Sequence, residues 1–182
     1  MKRQVLFVQG GGDGAYEADG KLVASLRRAL GPDFEVVYPR MPNEGTPDYA
    51  TWKLRISQEL DDLEGEIVLV GHSLGGYMLA KYVSEEIRRE QPIIGICLVA
   101  TPYPGGDDNW VYQGFALPED LAAKFPKGAA IFLYHSQDDQ TVPFAHVGLY
   151  GKEFPGATIR ETAGGHQLGD DLTGLAQDIK RL

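Results

Sequence analysis

Short apolar runs alternate with amphipathic stretches along almost the whole chain. The runs have the length and composition of buried strands, and they lie at 5–8, 34–38, 67–70, 93–100, 129–134 and 158–161. The stretches between them have helical periodicity, and they lie at 20–30, 49–63, 74–90, 118–124, 144–154 and 172–182. Because parallel strands need crossover connections, this alternation predicts a sheet covered by helices on both faces. We therefore expect an α/β fold, a three-layer α/β/α sandwich around a mainly parallel sheet of about six strands, with residues 1–182 forming a single domain.

The charge balance and the single cysteine narrow the classes of function. The formal net charge is −9, which repels nucleic-acid backbones and anionic membrane surfaces, so we expect neither as a partner. The lone Cys97 lies within an apolar run and cannot form an intrachain disulfide, which favours a reducing compartment. The chain begins without an apolar leader, and no run approaches the roughly 18 apolar residues of a membrane span. We expect a cytoplasmic protein.

A serine flanked by glycines lies where the third strand passes into a helix. The pentapeptide Gly71-His72-Ser73-Leu74-Gly75 follows the third apolar run directly. A serine at the tip of such a tight turn adopts a strained backbone conformation, and the flanking glycines let the strand and the helix approach each other around it. The pattern is typical of a nucleophile elbow, and it predicts Ser73 as the nucleophile.

Carboxylates and a histidine follow the last two strands, in the order that a serine nucleophile can use. A serine hydroxyl needs a base to take its proton and a third group to orient that base. Asp138 and Asp139 follow the fifth strand, and either can be the orienting acid. His166 follows Gly164-Gly165 after the sixth strand, and this loop can carry its ring over the sheet edge, so we expect His166 to be the base. The weaker candidates for the base are His72, His135 and His146.

Two further segments are predicted to complete the site. The first strand ends in a glycine-rich loop, so the amide of Gly11 or Gly12 can join that of Leu74 in stabilising a developing oxyanion. The long segment after the fourth strand carries aromatic residues that can line a substrate pocket, namely Trp110, Tyr112 and Phe115, together with Tyr103. The alternative is that these rings only hold the loop against the sheet.

Three motifs together resemble the α/β-hydrolase superfamily over nearly the whole chain: Gly-His-Ser-Leu-Gly at 71–75, Asp-Gln-Thr-Val-Pro at 139–143 and Gly-Gly-His at 164–166. The short chain has no room for a large cap domain, and it is most similar to the compact capless serine hydrolases typified by the retinoblastoma-binding serine hydrolase. The resemblance implies a minimal α/β-hydrolase fold with Ser73 as nucleophile, His166 as general base and no metal or organic cofactor. Asp139 becomes the expected acid, because it stands four residues before Pro143 as in the family pattern. Many members have His-Gly where this chain has Gln9-Gly10, which leaves the oxyanion amide open.

The sequence therefore predicts a carboxylesterase that forms an acyl-enzyme with small to medium soluble esters, since little sequence is left for a lid. Two other classes remain. The loop 10–15 also fits the G-x-G-x-x-A pattern of a nicotinamide dinucleotide-binding oxidoreductase, with Arg40 able to face a 2′-phosphate. However, that reading leaves Ser73, Asp139 and His166 unexplained. A catalytically silent binding protein with the same cleft is the second alternative.

Overall fold

The computed structural model describes residues 2–86, 92–111 and 116–182. The strands β1 to β6 lie at Arg3–Val8, Phe34–Val37, Ile67–His72, Ile93–Val99, Ala130–Ser136 and Thr158–Thr162. The helices α1 to α6 lie at Ala15–Leu30, Tyr49–Asp61, Leu74–Glu86, Leu121–Lys124, Ala145–Glu153 and Thr173–Ile179. Two short 3₁₀ helices, Asp108–Trp110 and Leu168–Asp170, lie in the loops after β4 and β6. All the predicted strands and helices are present.

The six strands form one fully parallel sheet, which confirms the predicted α/β fold. Their order is β2-β1-β3-β4-β5-β6. The chain runs outward from β1 to β2 and then crosses back to β3, so the strand order reverses between β1 and β3. The carboxyl ends of these two neighbours border the crevice in which sheets of this kind bind their ligands.

The sheet separates two apolar cores, as expected for a three-layer sandwich. Along β1, Leu6 and Val8 face one core and Val5 and Phe7 face the other, the alternation of a strand that is buried on both sides. Helices α2 to α5 cover the first core, and α1 and α6 cover the second. Among the described residues, no helix has both the length and the apolar character that crossing a membrane would require.

The helix bounds differ from prediction mainly at their first turns. Helix α1 begins at Ala15, directly after Gly14 with its left-handed φ of 78°, rather than at Gly20, which lies inside the helix. Residues 15–19 include no aliphatic side chain larger than alanine, so the apolar periodicity that marks a helix starts only at Leu22. The short α4 begins at Leu121 because Asp120 has a non-helical backbone. The predicted helix over 74–90 is described as far as Glu86, and residues 87–91 lie outside the described residues.

Candidate active site

Ser73 lies at a strained turn between β3 and α3. Its φ is 50°, in the left-handed region, and its amide donates to the carbonyl of Val99 at 2.8 Å, which fixes the turn against β4. Backbone of this kind costs about 1–3 kcal/mol and persists only where the surrounding structure enforces it. The glycines on either side of Ser73 show how closely the surrounding backbone packs against this turn. A Cβ on Gly71 would lie 2.5 Å from the Cα of Gly76, and one on Gly75 would lie 2.0 Å from the carbonyl oxygen of Gln9.

Asp139 and His166 meet at the carboxyl ends of β5 and β6. His166 Nδ1 lies 2.8 Å from Asp139 Oδ2, so Nδ1 carries the proton and Nε2 is left as the basic nitrogen. The other carboxylate oxygen of Asp139 accepts from the amides of Thr141 at 2.8 Å and Val142 at 2.9 Å. Burial opposes ionisation of Asp139, but the hydrogen bonds from His135, His166 and the Val142 amide outweigh it and hold the pKa of Asp139 well below its usual range. Asp139 is therefore a carboxylate that orients His166.

The neighbouring Asp138 holds the loop that carries His166 rather than its ring. Its Oδ1 accepts from the amides of Gly164 and Gly165, both at 3.1 Å. These glycines have φ values of 105° and 67°, and a Cβ on Gly164 would lie 2.4 Å from the amide nitrogen of Gly169. Of the two acids that the sequence left open, Asp139 contacts the histidine and Asp138 caps the turn.

The other two histidines outside the elbow have structural contacts of their own. His135 Nε2 lies 2.8 Å from the carbonyl of Val142 and 3.3 Å from Asp139 Oδ2, so it contacts the carboxylate of Asp139 and helps to hold it in place. His146 accepts from the amide of Tyr103 at 2.8 Å, and its other nitrogen lies 3.0 Å from Asp107. Neither His135 nor His146 lines the cavity beside Ser73 that is described below.

The glycine loop after β1 lies beside the elbow, but its amides are not equivalent. Gly12 donates to the carbonyl of Glu44 at 2.6 Å, and Gly10 donates to Asp19 at 2.7 Å, so both amides are engaged. The amides of Gly11 and Leu74 have no hydrogen-bond partner within residues 2–86, 92–111 and 116–182. A Cβ on Gly11 would lie 2.5 Å from Leu74 Cδ2, so the two residues are in close contact. Of the two predicted glycines, Gly11 has the available donor.

A cavity of about 160 Å³ opens between the glycine loop, the elbow and the His166 loop. It is small beside the roughly 300–1,000 Å³ of drug-sized ligand pockets. Ser73 and His166 share it with the residues of its remaining walls, which are Gly10, Gly11, Gly12, Asp13, Gly14, Ala15, Ala18, Asp19, His72 and Gln167. The structure thus places the predicted nucleophile and the predicted base in one crevice at the reversal of strand order.

Of the predicted aromatic residues, Trp110 and Tyr103 are among those that the structure describes, and neither lines this cavity. Trp110 ends a 3₁₀ helix in the loop after β4 and does not line the cavity, and Tyr112 and Phe115 lie outside the described residues. Tyr103 in the same loop donates to Glu153 at 2.8 Å, and its ring packs edge-on against another aromatic ring, as expected of a side chain that holds the loop in place.

Sequence reasoning missed Asp19, which pairs with His72 beneath the site. Both side chains are 1% exposed, and His72 Nδ1 lies 2.9 Å from Asp19 Oδ1. His72 Nε2 lies 3.0 Å from the backbone carbonyl of His166. A signal was present, because Asp19 continues the buried face of Leu22, Val23 and Leu26 backward by one helical turn.

The contacts of Arg40 do not favour the dinucleotide alternative. The Arg40 guanidinium forms ion pairs with Glu17 and, at 3.2 Å, with Glu44. Both contacts are with carboxylates of the protein, so the guanidinium is already paired and is not available to a 2′-phosphate. The amides of Gly10 and Gly12, which a pyrophosphate would need, are also engaged within the protein.

The chain is similar to known hydrolases in sequence pattern and in fold. Residues 26–173 match the model of a family described as serine hydrolase. The ydeN gene product of B. subtilis superposes with a TM-score of 0.69 at 20% identity, over 100% of this chain and 98% of that one. An esterase from Exiguobacterium antarcticum superposes with a TM-score of 0.67 at 15% identity, over 98% and 91% of the two chains.

At these identities the structural similarity establishes the fold alone, and no curated protein matches the chain in sequence. The family model is stronger evidence, because the residues that it matches make up most of the chain and include Ser73, Asp139 and His166. The protein therefore belongs to the serine hydrolase family, with an α/β-hydrolase fold.

Proposed function

We propose that the protein is a carboxylesterase whose catalytic triad is Ser73, His166 and Asp139. The observation that carries the proposal is the 2.8 Å bond between Asp139 and His166, made by a histidine that lines the same cavity as the strained Ser73. This is the geometry in which a carboxylate fixes the imidazole tautomer and leaves Nε2 to take a serine proton.

The proposed reaction is a two-step acyl transfer. His166 Nε2 removes the proton of the Ser73 hydroxyl as Oγ attacks the ester carbonyl, and the negative charge that forms on the carbonyl oxygen is stabilised by the amides of Gly11 and Leu74. The same imidazolium then protonates the leaving alcohol, which leaves an acyl-enzyme. Water, deprotonated by His166, attacks the acyl carbon, the bond from that carbon to Ser73 Oγ breaks, and the imidazolium returns the proton to Oγ as the carboxylic acid leaves. One oxyanion donor is typically worth about 3–4 kcal/mol of the barrier.

The size of the cavity supports small soluble esters as substrates. A volume of about 160 Å³ accommodates a short acyl group, and half of the residues in its walls are glycine or alanine, which offer little apolar surface to a long chain.

We place the enzyme in the cytoplasm, because its only cysteine cannot form an intrachain disulfide, which favours a reducing compartment. Cys97 is buried, and burial raises the pKa of its thiol, so it stays an inert packed side chain under reducing conditions.

Fluorophosphonate labelling read by intact mass tests the proposal. We expect one adduct on the wild-type protein and none on Ser73→Ala, because only a serine with an adjacent base reacts with the probe. A screen of p-nitrophenyl esters should then show faster hydrolysis of the acetate than of the palmitate. Absence of an adduct on well-folded protein would refute the esterase and favour a silent binding protein. An adduct that persists on Ser73→Ala would refute the assigned nucleophile.

A further inference from the structure

A buried Asp–His pair outside the proposed triad links the three loops that form the site. Asp19, on the second turn of α1, accepts from the Gly10 amide at 2.7 Å and from the Gln167 side chain at 3.1 Å. It also lies within 3.0 Å of His72 through both carboxylate oxygens. His72 precedes the nucleophile and reaches the backbone of His166 at 3.0 Å. One carboxylate therefore holds the glycine loop, the elbow and the His166 loop together.

The partners of His72 determine its protonation state. Nε2 faces a carbonyl oxygen and Nδ1 faces a carboxylate, and neither group can donate a proton to the ring. A neutral imidazole has one N–H, so one of these contacts would bring a nitrogen lone pair against an oxygen lone pair. With Asp19 ionised, the state favoured by the hydrogen bonds that lower its pKa, only the imidazolium, which donates through both nitrogens, satisfies both contacts. His72 and Asp19 therefore form a buried ion pair.

The surrounding charges favour the same state. Burial alone would lower the pKa of His72, but the hydrogen bond and charge of Asp19, with the His166 carbonyl and the more distant charge of Asp139, raise it above its ordinary value of 6.5. Burial also opposes ionisation of Asp19, but hydrogen bonds from His72, Gly10 and Gln167 lower its pKa. The other titratable ring that faces His72 is that of His166, at 4.8 Å between centroids.

We propose that His72 and Asp19 are positioning residues for acyl transfer. Their ion pair fixes the Gly10 and His166 backbones against Ser73, so that the Gly11 amide and the His166 ring are in place when the substrate binds. This inference rests on the proposed esterase function. It predicts that loss of the pair lowers the turnover of each active site, because misplaced groups stabilise the transition state less while ground-state contacts remain.

The protonation state of His72 can be measured by NMR without an activity assay. In ¹⁵N-labelled wild-type protein at about pH 7.5, where an ordinary histidine is mostly neutral, both ring nitrogens of His72 should give the signals of protonated nitrogens. In Asp19→Asn the same ring should give one protonated and one unprotonated nitrogen. A neutral His72 in the wild-type protein would overturn the ion pair, even if the protein were a fully active esterase.

The positioning role is tested with Asp19→Asn and His72→Gln, the second of which keeps a donor near the position of Nε2. Glu17→Gln is the matched control, since it removes the same charge from an exposed position on the same helix. We expect kcat to fall about 10- to 100-fold in both test variants, with little change in KM and none in the control.

Rates are normalised to the sites titrated by the fluorophosphonate, so that a misfolded fraction lowers the number of sites and not the rate per site. Wild-type kcat per site in both variants would overturn the positioning role. A wild-type protein that neither labels nor hydrolyses esters would instead refute the proposed function, and the nitrogen signals would still decide the ion pair.

Discussion

The two neighbouring aspartates after β5 hold His166 in different ways, which predicts different effects of the same substitution. Asp139→Asn replaces the carboxylate oxygen that accepts from Nδ1 at 2.8 Å, so it permits the wrong tautomer and should lower kcat/KM roughly 10³- to 10⁴-fold. Asp138→Asn keeps the Oδ1 acceptor that both glycine amides contact and should cost less than about tenfold. Kinetics with p-nitrophenyl acetate distinguish the two variants. A larger loss in Asp138→Asn would reverse the assigned roles.

How far the site could be predicted depended on whether a residue carries a local signal. Ser73 and His166 each follow a strand in a recognisable loop, so the sequence pointed to both, whereas only the family resemblance favoured Asp139 over Asp138. The structure brings Ser73, Asp139 and His166 to one edge of the sheet. Neither the buried position of Asp19 nor the place of His72 in the elbow predicts that the two form a pair, because their contact spans 53 positions and exists only in the folded protein. The choice of Gly11 over Gly12 also needed coordinates, since it depends on a carbonyl in another loop.

At the scale of elements, the elbow depends on the close approach of α3 to the end of β1. A Cβ on Gly75 would lie 2.0 Å from the carbonyl oxygen of Gln9 and 2.5 Å from that of Val8, and backbone atoms cannot rotate aside. Gly75→Ala should therefore lower the free energy of unfolding by at least about 3 kcal/mol, a large overpacking cost. Urea denaturation followed by circular dichroism measures it.

Gly148 in α5 provides the matched control. A Cβ there would meet no atom within 4 Å, so Gly148→Ala should raise the free energy of unfolding by about 0.5–1 kcal/mol through helix propensity. Equal effects of the two substitutions would show that the contact between α3 and β1 does not carry the stability assigned to it.

Elements with apolar periodicity were predictable, and those defined by polar contacts were less so. The strands through the middle of the sheet are buried on both faces and appear as continuous apolar runs, so their presence and parallel arrangement could be expected. Residues 15–19 of α1 were missed because Gly20 looks like a helix boundary and these residues include no aliphatic side chain larger than alanine. The missed residues 15–19 include Asp19, so the error in the helix bound and the missed ion pair have one cause.

Across the whole molecule, buried carboxylates connect elements that are distant in sequence. Asp19 connects α1 to the loops after β1 and β6, and Asp139 connects the loops after β5 and β6. Asp178 on α6 accepts from Tyr134 on β5 and from Arg160 on β6, the latter at 2.9 and 3.0 Å. The hydrogen bonds from Arg160 and Tyr134 outweigh burial and lower the pKa of Asp178. Acid should therefore loosen both the site and the outer part of the sheet.

The Asp178 network makes the pH dependence testable with one variant. Because the folded pKa of Asp178 lies below its unfolded value, its stabilisation is fully present above the unfolded pKa and is lost as pH falls through the folded pKa. Asp178→Asn should lower the free energy of unfolding by about 2 kcal/mol at neutral pH, the size of hydrogen bonds to a charged group. Urea unfolding at about pH 7 and about pH 3 should show that the difference from wild type shrinks at the lower pH.

The exposed Asp33→Asn is the control and should differ little from wild type at either pH. A difference for Asp178→Asn that does not change with pH would mean that shape rather than charge joins α6 to the sheet.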